Sequence, residues 1–214
     1  MIRSDLPRVA AIARAVAAAL SLAAVGCVHH TAPPERARTA PPTAAELPAP
    51  DAIPGTFTVR QRLKATSAKG GGSFEAVLQK QPGTLTLIGL TPYGARAFLL
   101  QQTKDDVQFT KYIPREMPFP PTFMLLDIHR VLDRWLGPPL SAGERSGRVG
   151  DETIHERWQG GHLVERTFVS ANASPAGSIT IAYTGHDASG FATHITLQNA
   201  RLDYRIEIDT VPFP

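Results

Sequence analysis

The sequence has one cysteine, Cys27, so no disulfide can form within the chain. Aromatic residues make up only 7% of it. No basic run is interleaved with them, which gives no sign of a nucleic-acid surface. Charge of one sign is also lacking. The net charge is +3, and Arg3, Arg8 and Arg14 against Asp5 supply +2 of it before residue 27. The rest of the chain is close to neutral, so the basic isoelectric point says nothing about polyanions. No apolar run is long enough to span a bilayer. The longest, Ala15 to Gly26 with one serine, falls short of the ~20 residues a spanning helix needs.

Signatures of catalysis are missing too. Asp127, His129 and Arg130 lie close together, but no serine or cysteine nucleophile accompanies them. At helical spacing His129 points away from the other two. His155, His162 and His194 fall in separate segments without the short spacing of zinc ligands, and His29-His30 is a bare pair in an extended stretch. Gly70-Gly71-Gly72 has no Lys-Ser/Thr at phosphate-loop spacing and opens no helix. Asn172-Ala173-Ser174 is an incidental sequon. These absences predict no enzyme, no metal and no cofactor.

What is present begins with a secretory leader over residues 1–26: a basic start, an Ala/Leu-rich centre and small residues at its end. Leu22-Ala23-Ala24-Val25-Gly26-Cys27 resembles the lipobox of bacterial lipoproteins, although leucine is commoner where Ala24 stands. The resemblance implies cleavage before Cys27, a diacylglyceryl group on its thiol and an acyl chain on its new amino group. Several acyl chains anchor stably where one does not. Val28 follows the cysteine in place of a retaining aspartate, which implies the periplasmic face of the outer membrane. Residues 27–54, rich in Ala, Pro, Thr and Glu, read as a tether with nothing to build a core.

Residues 55–214 read as the folded domain. Short alternating segments joined by turn residues predict about ten antiparallel strands: FTVRQRLKAT, SFEAVLQKQ, TLTLIGL, ARAFLLQQ and VQFTKYI, then ETIHERWQ, HLVERTFVS, SITIAYT, FATHITLQN and a last strand. In that last strand Leu202, Tyr204, Ile206 and Ile208 share one face, and Asp203, Arg205, Glu207 and Asp209 the other. Between the two groups lies one convincing helix, PFPPTFMLLDIHRVLDRWLGPP. Thr122 is its expected N-cap, and Gly137 with Pro138 its expected end. Met124, Ile128, Val131, Leu132 and Trp135 form its apolar stripe, and Asp127, Arg130 and Arg134 its polar face. One helix cannot bury such a stripe alone. The fold class is mainly β, a curved sheet with the helix against its concave side. Two arrangements of the dry face stay open: a filled core, or an apolar opening for a hydrophobic ligand.

From Thr56 onward the chain resembles the LolA/LolB group of periplasmic lipoprotein carriers, in particular LolB-like outer-membrane lipoproteins. The resemblance rests on SFEAVLQKQPGTLTLIGLTPYGARAFLL, on LDRWLGPPL, and on THITLQNARLDYRIEIDTV. It implies an open antiparallel half-barrel whose concave face holds acyl chains under a helical lid. Met124, Ile128, Val131, Leu132 and Trp135 would be lid or cargo-lining residues. In the family, a leucine on a protruding loop between Pro and Gly helps pass lipoproteins into the membrane. Here that position is Tyr93, between Pro92 and Gly94. Tyr93, Phe119 and Phe123 are therefore membrane-contact candidates. Tyr112, Ile113 and Met117 extend this apolar approach to the helix, which would otherwise simply cover one end of the barrel. The reading implied is a monomeric, lipid-anchored carrier of acyl-bearing cargo, lipid or lipoprotein. The alternative is a structural or assembly lipoprotein with a filled core.

Overall fold

The computed structural model describes residues 40–68, 70–114, 120–173 and 176–211. Eleven strands form one open antiparallel sheet, one more than the alternation predicts. The first five are β1 (Phe57–Ser67), β2 (Gly70–Gln81), β3 (Thr84–Leu90), β4 (Arg96–Gln102) and β5 (Val107–Lys111). The other six are β6 (Gly143–Val149), β7 (Glu152–Gln159), β8 (His162–Ser170), β9 (Ser178–His186), β10 (Ala192–Asn199) and β11 (Tyr204–Val211). The spatial order is β5-β4-β3-β2-β1-β11-β10-β9-β8-β7-β6. The chain thus walks outward from the centre along one arm, crosses to the far edge, and returns strand by strand. The two arms join where β1 pairs with β11, from Arg60↔Val211 to Ser67↔Tyr204.

Tight turns explain the walk. Gln81 pairs with Thr84 across Pro82-Gly83, and Gln159 with His162 across Gly160-Gly161. The one connection that is not a hairpin carries the helix α1, Pro121–Leu132. It must take the chain from the β5 edge to the β6 edge. Eleven strands laid flat would be about 48 Å across at their usual spacing, whereas a twelve-residue helix is only about 18 Å long. The curl of the sheet brings the edges nearer, and α1 crosses its concave side.

The inward and outward rows follow the period of two. On β1 the side chains of Arg60, Arg62 and Lys64 face out, with Arg60 and Arg62 bound to Glu75 and Lys64 to Glu207. Inward-facing residues pack into two apolar clusters, one on each arm. The first gathers Leu78, Leu85, Leu87, Phe98 and Leu100 about Leu125 of α1. The second gathers Ile154, Phe168, Ile179, Ile181 and Leu197 about Val131.

Three sequence expectations need correction. The tether was expected to run to residue 54, but its last part packs on the sheet. Ala44–Glu46 and Pro50–Ala52 are single 3₁₀ turns, and Leu47 and Ile53 enter the first cluster. Two apolar side chains among prolines suffice, because Asp51 binds Lys80 at 3.0 Å and the backbone N–H of Gly83 at 2.8 Å. The helix is also shorter than its stripe. Its N-cap is Pro120, not Thr122, and it ends at Leu132, with Asp133 as C-cap. Trp135 and Gly137 therefore lie beyond it. Finally, the polar face is turned mostly to the sheet and not to solvent. Asp127, His129 and Arg130 are buried, and of the polar set only Arg134 is exposed. A helix inside a curled sheet is covered on more than one side, so a single stripe does not describe it.

Candidate functional site

A cavity of about 80 Å³ lies between α1 and the middle of the sheet. From the helix, Phe123, Met124, Asp127, Ile128, Val131 and Leu132 line it. The sheet wall comes from where the arms meet: Gln61, Leu63 and Ala65 of β1, Ile206 and Ile208 of β11, with Phe74, Leu78, Leu87 and Leu197 beside them. Leu63 and Ile208 are direct cross-strand partners, as are Ala65 and Ile206. The lining is almost wholly apolar, and its polar members are Gln61, Asp127 and Tyr204.

Four of the five residues expected on the lid, Met124, Ile128, Val131 and Leu132, share this cavity. Trp135 does not. Its ring stands edge-on to Phe168 at 5.6 Å between centroids, and its N–H donates to the His129 carbonyl at 3.1 Å. Of the membrane-contact candidates, Tyr93 is 97% exposed at the tip of the β3–β4 loop. The loop closes through Gly94 N–H to the Thr91 carbonyl, and Gly94 has φ of 79°. That left-handed turn leaves the preceding tyrosine outside. Tyr112 is half exposed and Ile113 half-buried. Phe123 turns inward and lines the cavity. Phe119, Met117 and Cys27 lie outside the described residues, as does the leader.

Polar groups hold the far end of the helix. Arg166 of β8 is 3% exposed and fully used. Its Nε and Nη2 donate to Glu156 at 2.9 and 2.7 Å, directly across the β7–β8 ladder. Nη1 also donates to the Arg130 carbonyl at 2.7 Å, and Nη2 to that of Asp133 at 2.9 Å. Tyr183 donates to the Val131 carbonyl at 2.9 Å, and burial raises its hydroxyl pKa to about 12. These bonds satisfy carbonyls that a helix C-terminus leaves open. Arg145 joins Glu156 at 2.7 Å and ties in the Pro138 carbonyl at 2.7 Å.

His129 is fully buried. Its Nδ1 meets Asp133 at 2.9 Å and its Nε2 meets Gln102 Oε1 at 2.8 Å. Gln102 donates through its nitrogen to the Pro48 carbonyl at 2.7 Å, which fixes the amide's orientation. Gln102 Oε1 can only accept, so Nε2 is the ring nitrogen that donates to it. Asp127 accepts from Tyr204, whose hydroxyl also accepts from Asn199 at 3.0 Å. Arg130 lies 3.4 Å from Asp127 and 3.7 Å from Glu152. Burial pushes the carboxyls of Asp127 and Asp133 above the usual range, against the pull of these partners.

Sequence reasoning missed Glu156 and Arg166, although the period of two placed each on an apolar face, beside Ile154 and Phe168. It also missed Gln61, which interrupts the inward row Val59, Leu63, Ala65. Elsewhere, His155 is bound to Ser146 and His194 to Asp209, and His162 stacks on His186 at 4.2 Å. Among the described residues no group of three His, Cys, Asp or Glu side chains is placed to hold a metal ion.

Residues 58–212, all but the first residue of the sheet, match the family described as Protein of unknown function (DUF3261). The chain belongs to that family. Comparison with curated proteins found no match. Among solved structures, a domain described as an outer-membrane lipoprotein-sorting protein from Vibrio parahaemolyticus is similar at 8% identity. That overlay has a TM-score of 0.39 and covers 74% of this chain and 84% of that one. A GphF dehydratase overlays at 10% identity and a TM-score of 0.14, covering 74% and 78%. Both overlays are too loose to say what a DUF3261 chain binds. The family match takes in α1 and every strand that lines the cavity, and leaves out the two 3₁₀ turns.

Proposed function

We propose that this DUF3261 protein is a lipid-anchored, LolB-like lipoprotein that binds or transfers hydrophobic, acyl-bearing cargo at the periplasmic face of the outer membrane. The apolar cavity under α1 carries the reading. A single-chain lipid suits an apolar lining with few polar groups. At about 80 Å³ the cavity admits only part of a long chain, so full entry requires the N-terminal half of α1 to rise. The sequence supports the address: a leader-like start over residues 1–26 and a lone cysteine, Cys27, at its end, where acyl chains would form the membrane anchor. Tyr93, projecting from its turn, is suited to a membrane interface, where tyrosine is stable with one end apolar and one wet. The role is non-enzymatic. Asp127, His129 and Asp133 are engaged with structural partners.

Native mass spectrometry of the purified protein tests the reading. Co-purifying lipid, lost on denaturation, is expected. If no lipid is recovered and no apolar fluorophore enters, the structural lipoprotein with a filled core replaces the carrier. Anchoring is tested separately. Cys27→Ser should abolish acylation and release the protein from the membrane fraction. Retention after a high-salt wash, with no acyl label on the unaltered protein, would refute the anchor.

A further inference from the structure

The cavity wall contains one group that the protein does not use. Gln61 is 5% exposed and lines the cavity, and its amide, which keeps a little accessible surface, is not among the side-chain hydrogen-bonding groups of the described residues. An amide so nearly enclosed, with no protein partner, is left to bind whatever enters beside it, water or ligand. The other polar members of the lining are engaged: Asp127 with Tyr204 and Arg130, and Tyr204 also with Asn199. They stand at the other end of the wall. Gln61 pairs with Thr210, and Tyr204 with Ser67. Six residues of strand separate the two points, about 20 Å at the usual rise. Between them the wall is Leu63, Ala65, Ile206 and Ile208.

The charge of the lining is equally informative. Among the described residues it includes no Lys, Arg or His, and one acid, Asp127. An ionised carboxylate entering here would leave water for an apolar wall, find no cation and face an acid. Burial already holds Asp127's own carboxyl above the usual range. An amide, by contrast, both donates and accepts, and so satisfies an ester, amide or hydroxyl.

We infer that the cavity takes a single-chain lipid whose polar end is uncharged, and that Gln61 binds that end while the chain runs along the β1–β11 seam. The inference rests on the lipid-binding reading above. It separates acyl chains in ester or amide linkage, whether on a free lipid or an acylated peptide, from free fatty acids.

The test uses the purified protein loaded with the neutral fluorophore N-phenyl-1-naphthylamine. Competitors of one chain length are compared at pH 8: methyl laurate, an N-lauroyl peptide amide, laurate and dodecane. Displacement by methyl laurate or the lauroyl peptide at tenfold or more lower concentration than laurate is expected, with dodecane weaker than the ester. Which of the two neutral competitors is stronger identifies the source of the chain. Gln61→Met, similar in shape and without the amide, should bring the ester down to the level of dodecane. Equal potency of laurate and methyl laurate overturns the inference and leaves lipid binding standing. So does an ester affinity unchanged by Gln61→Met. Failure of the fluorophore to enter at all removes the binding reading itself. If Gln61→Met does not fold, the ratios in the unaltered protein still decide.

Discussion

The two ends of α1 are held by different physics. At the C-terminal end, carbonyls of residues 130, 131 and 133 accept bonds from Arg166 and Tyr183, and the guanidinium that supplies them is locked to Glu156. At the other end, Pro120 makes no side-chain cap, and Phe123, Met124 and Ile128 face the cavity. One end is fastened by directional, buried bonds that have a single good geometry. The other rests on apolar contact, which tolerates sliding and exchange for other apolar groups. A helix held this way can admit a ligand beneath its first turns without leaving its place in the fold.

Breaking the fastened end should cost most. Arg166→Met leaves Glu156 buried with Arg145 and Trp158 as its remaining partners, and reopens helix carbonyls. Removing one member of a buried pair costs about 3–5 kcal/mol. Denaturant unfolding should show that loss, and adding Glu156→Leu should return much of it. If Arg166→Met is nearly neutral, the C-terminal end is not the fastened one.

Truncation within the helix sharpens the contrast. Leu125 is fully buried in the first cluster. Leu125→Ala should cost about 2–5 kcal/mol, as for a packed core leucine. Ile128 is half-buried and borders existing empty space, so Ile128→Ala removes fewer contacts and should cost less than Leu125→Ala. Equal losses at the two positions would mean that the cavity is closed up in solution.

A smaller effect distinguishes Asp127 by pH. Burial raises its carboxyl above the unfolded value, so the folded state holds the proton more tightly. Its contribution is fully present below the unfolded pKa and is lost as pH rises through the folded one. Asp133 is shifted the same way by burial. The exposed acids Glu46, Asp51 and Glu75 are shifted down by hydrogen bonds, so they act in the opposite sense at lower pH. His186, held below its ordinary value chiefly by burial and then by His162, also opposes the raised acids as pH falls through the histidine range. The unaltered protein should therefore gain more, or lose less, stability on acidification than Asp127→Asn does. A slope unchanged in Asp127→Asn would assign the effect elsewhere. Function should survive the substitution.

Much of this fold was legible in the sequence. Strand after strand announced itself by alternation and by turn residues such as Pro82-Gly83 and Gly160-Gly161, and the interruption at 118–139 marked the crossing. That the helix's charges are buried is not legible in the sequence, for a physical reason. Periodicity tells how many faces are polar, not whether a polar face is covered. Leu125, Asp127, His129, Arg130 and Val131 go nearly all the way around at 100° per residue, and all five are buried. Only long-range pairings, Asp127 with Tyr204 and His129 with Gln102, make that possible. Likewise Leu47 and Ile53 looked like parts of a tether, because the wall they pack on is far away in sequence. The cavity was foreshadowed only as one of two arrangements of the dry face. Four of its six helix residues came from the stripe, whereas Gln61 required knowing which row of β1 faces inward.

The smallest effect is spectroscopic and separates the two ends without disturbing either strongly. The chain has two tryptophans, Trp135 and Trp158. Trp135 lies past the fastened end, against Phe168 and bound to the His129 carbonyl. Trp158 is buried on β7 beside Glu156, with Arg145 over its ring. Neither lines the cavity. Intrinsic fluorescence should therefore hardly change when an apolar ligand binds. A reporter belongs at Phe123, on the cavity wall in the first turn. In Phe123→Trp, with Trp135 and Trp158 replaced by Phe, the emission should shift when methyl laurate is added, while the unaltered protein stays silent. The larger ring at a partly open wall should cost less than about 1–3 kcal/mol, the usual penalty for overfilling a closed core. A ligand-dependent change from Trp135 in the unaltered protein would mean that the fastened end moves. The ligand would then be displacing the whole helix, and the asymmetry between its ends would not be what admits it.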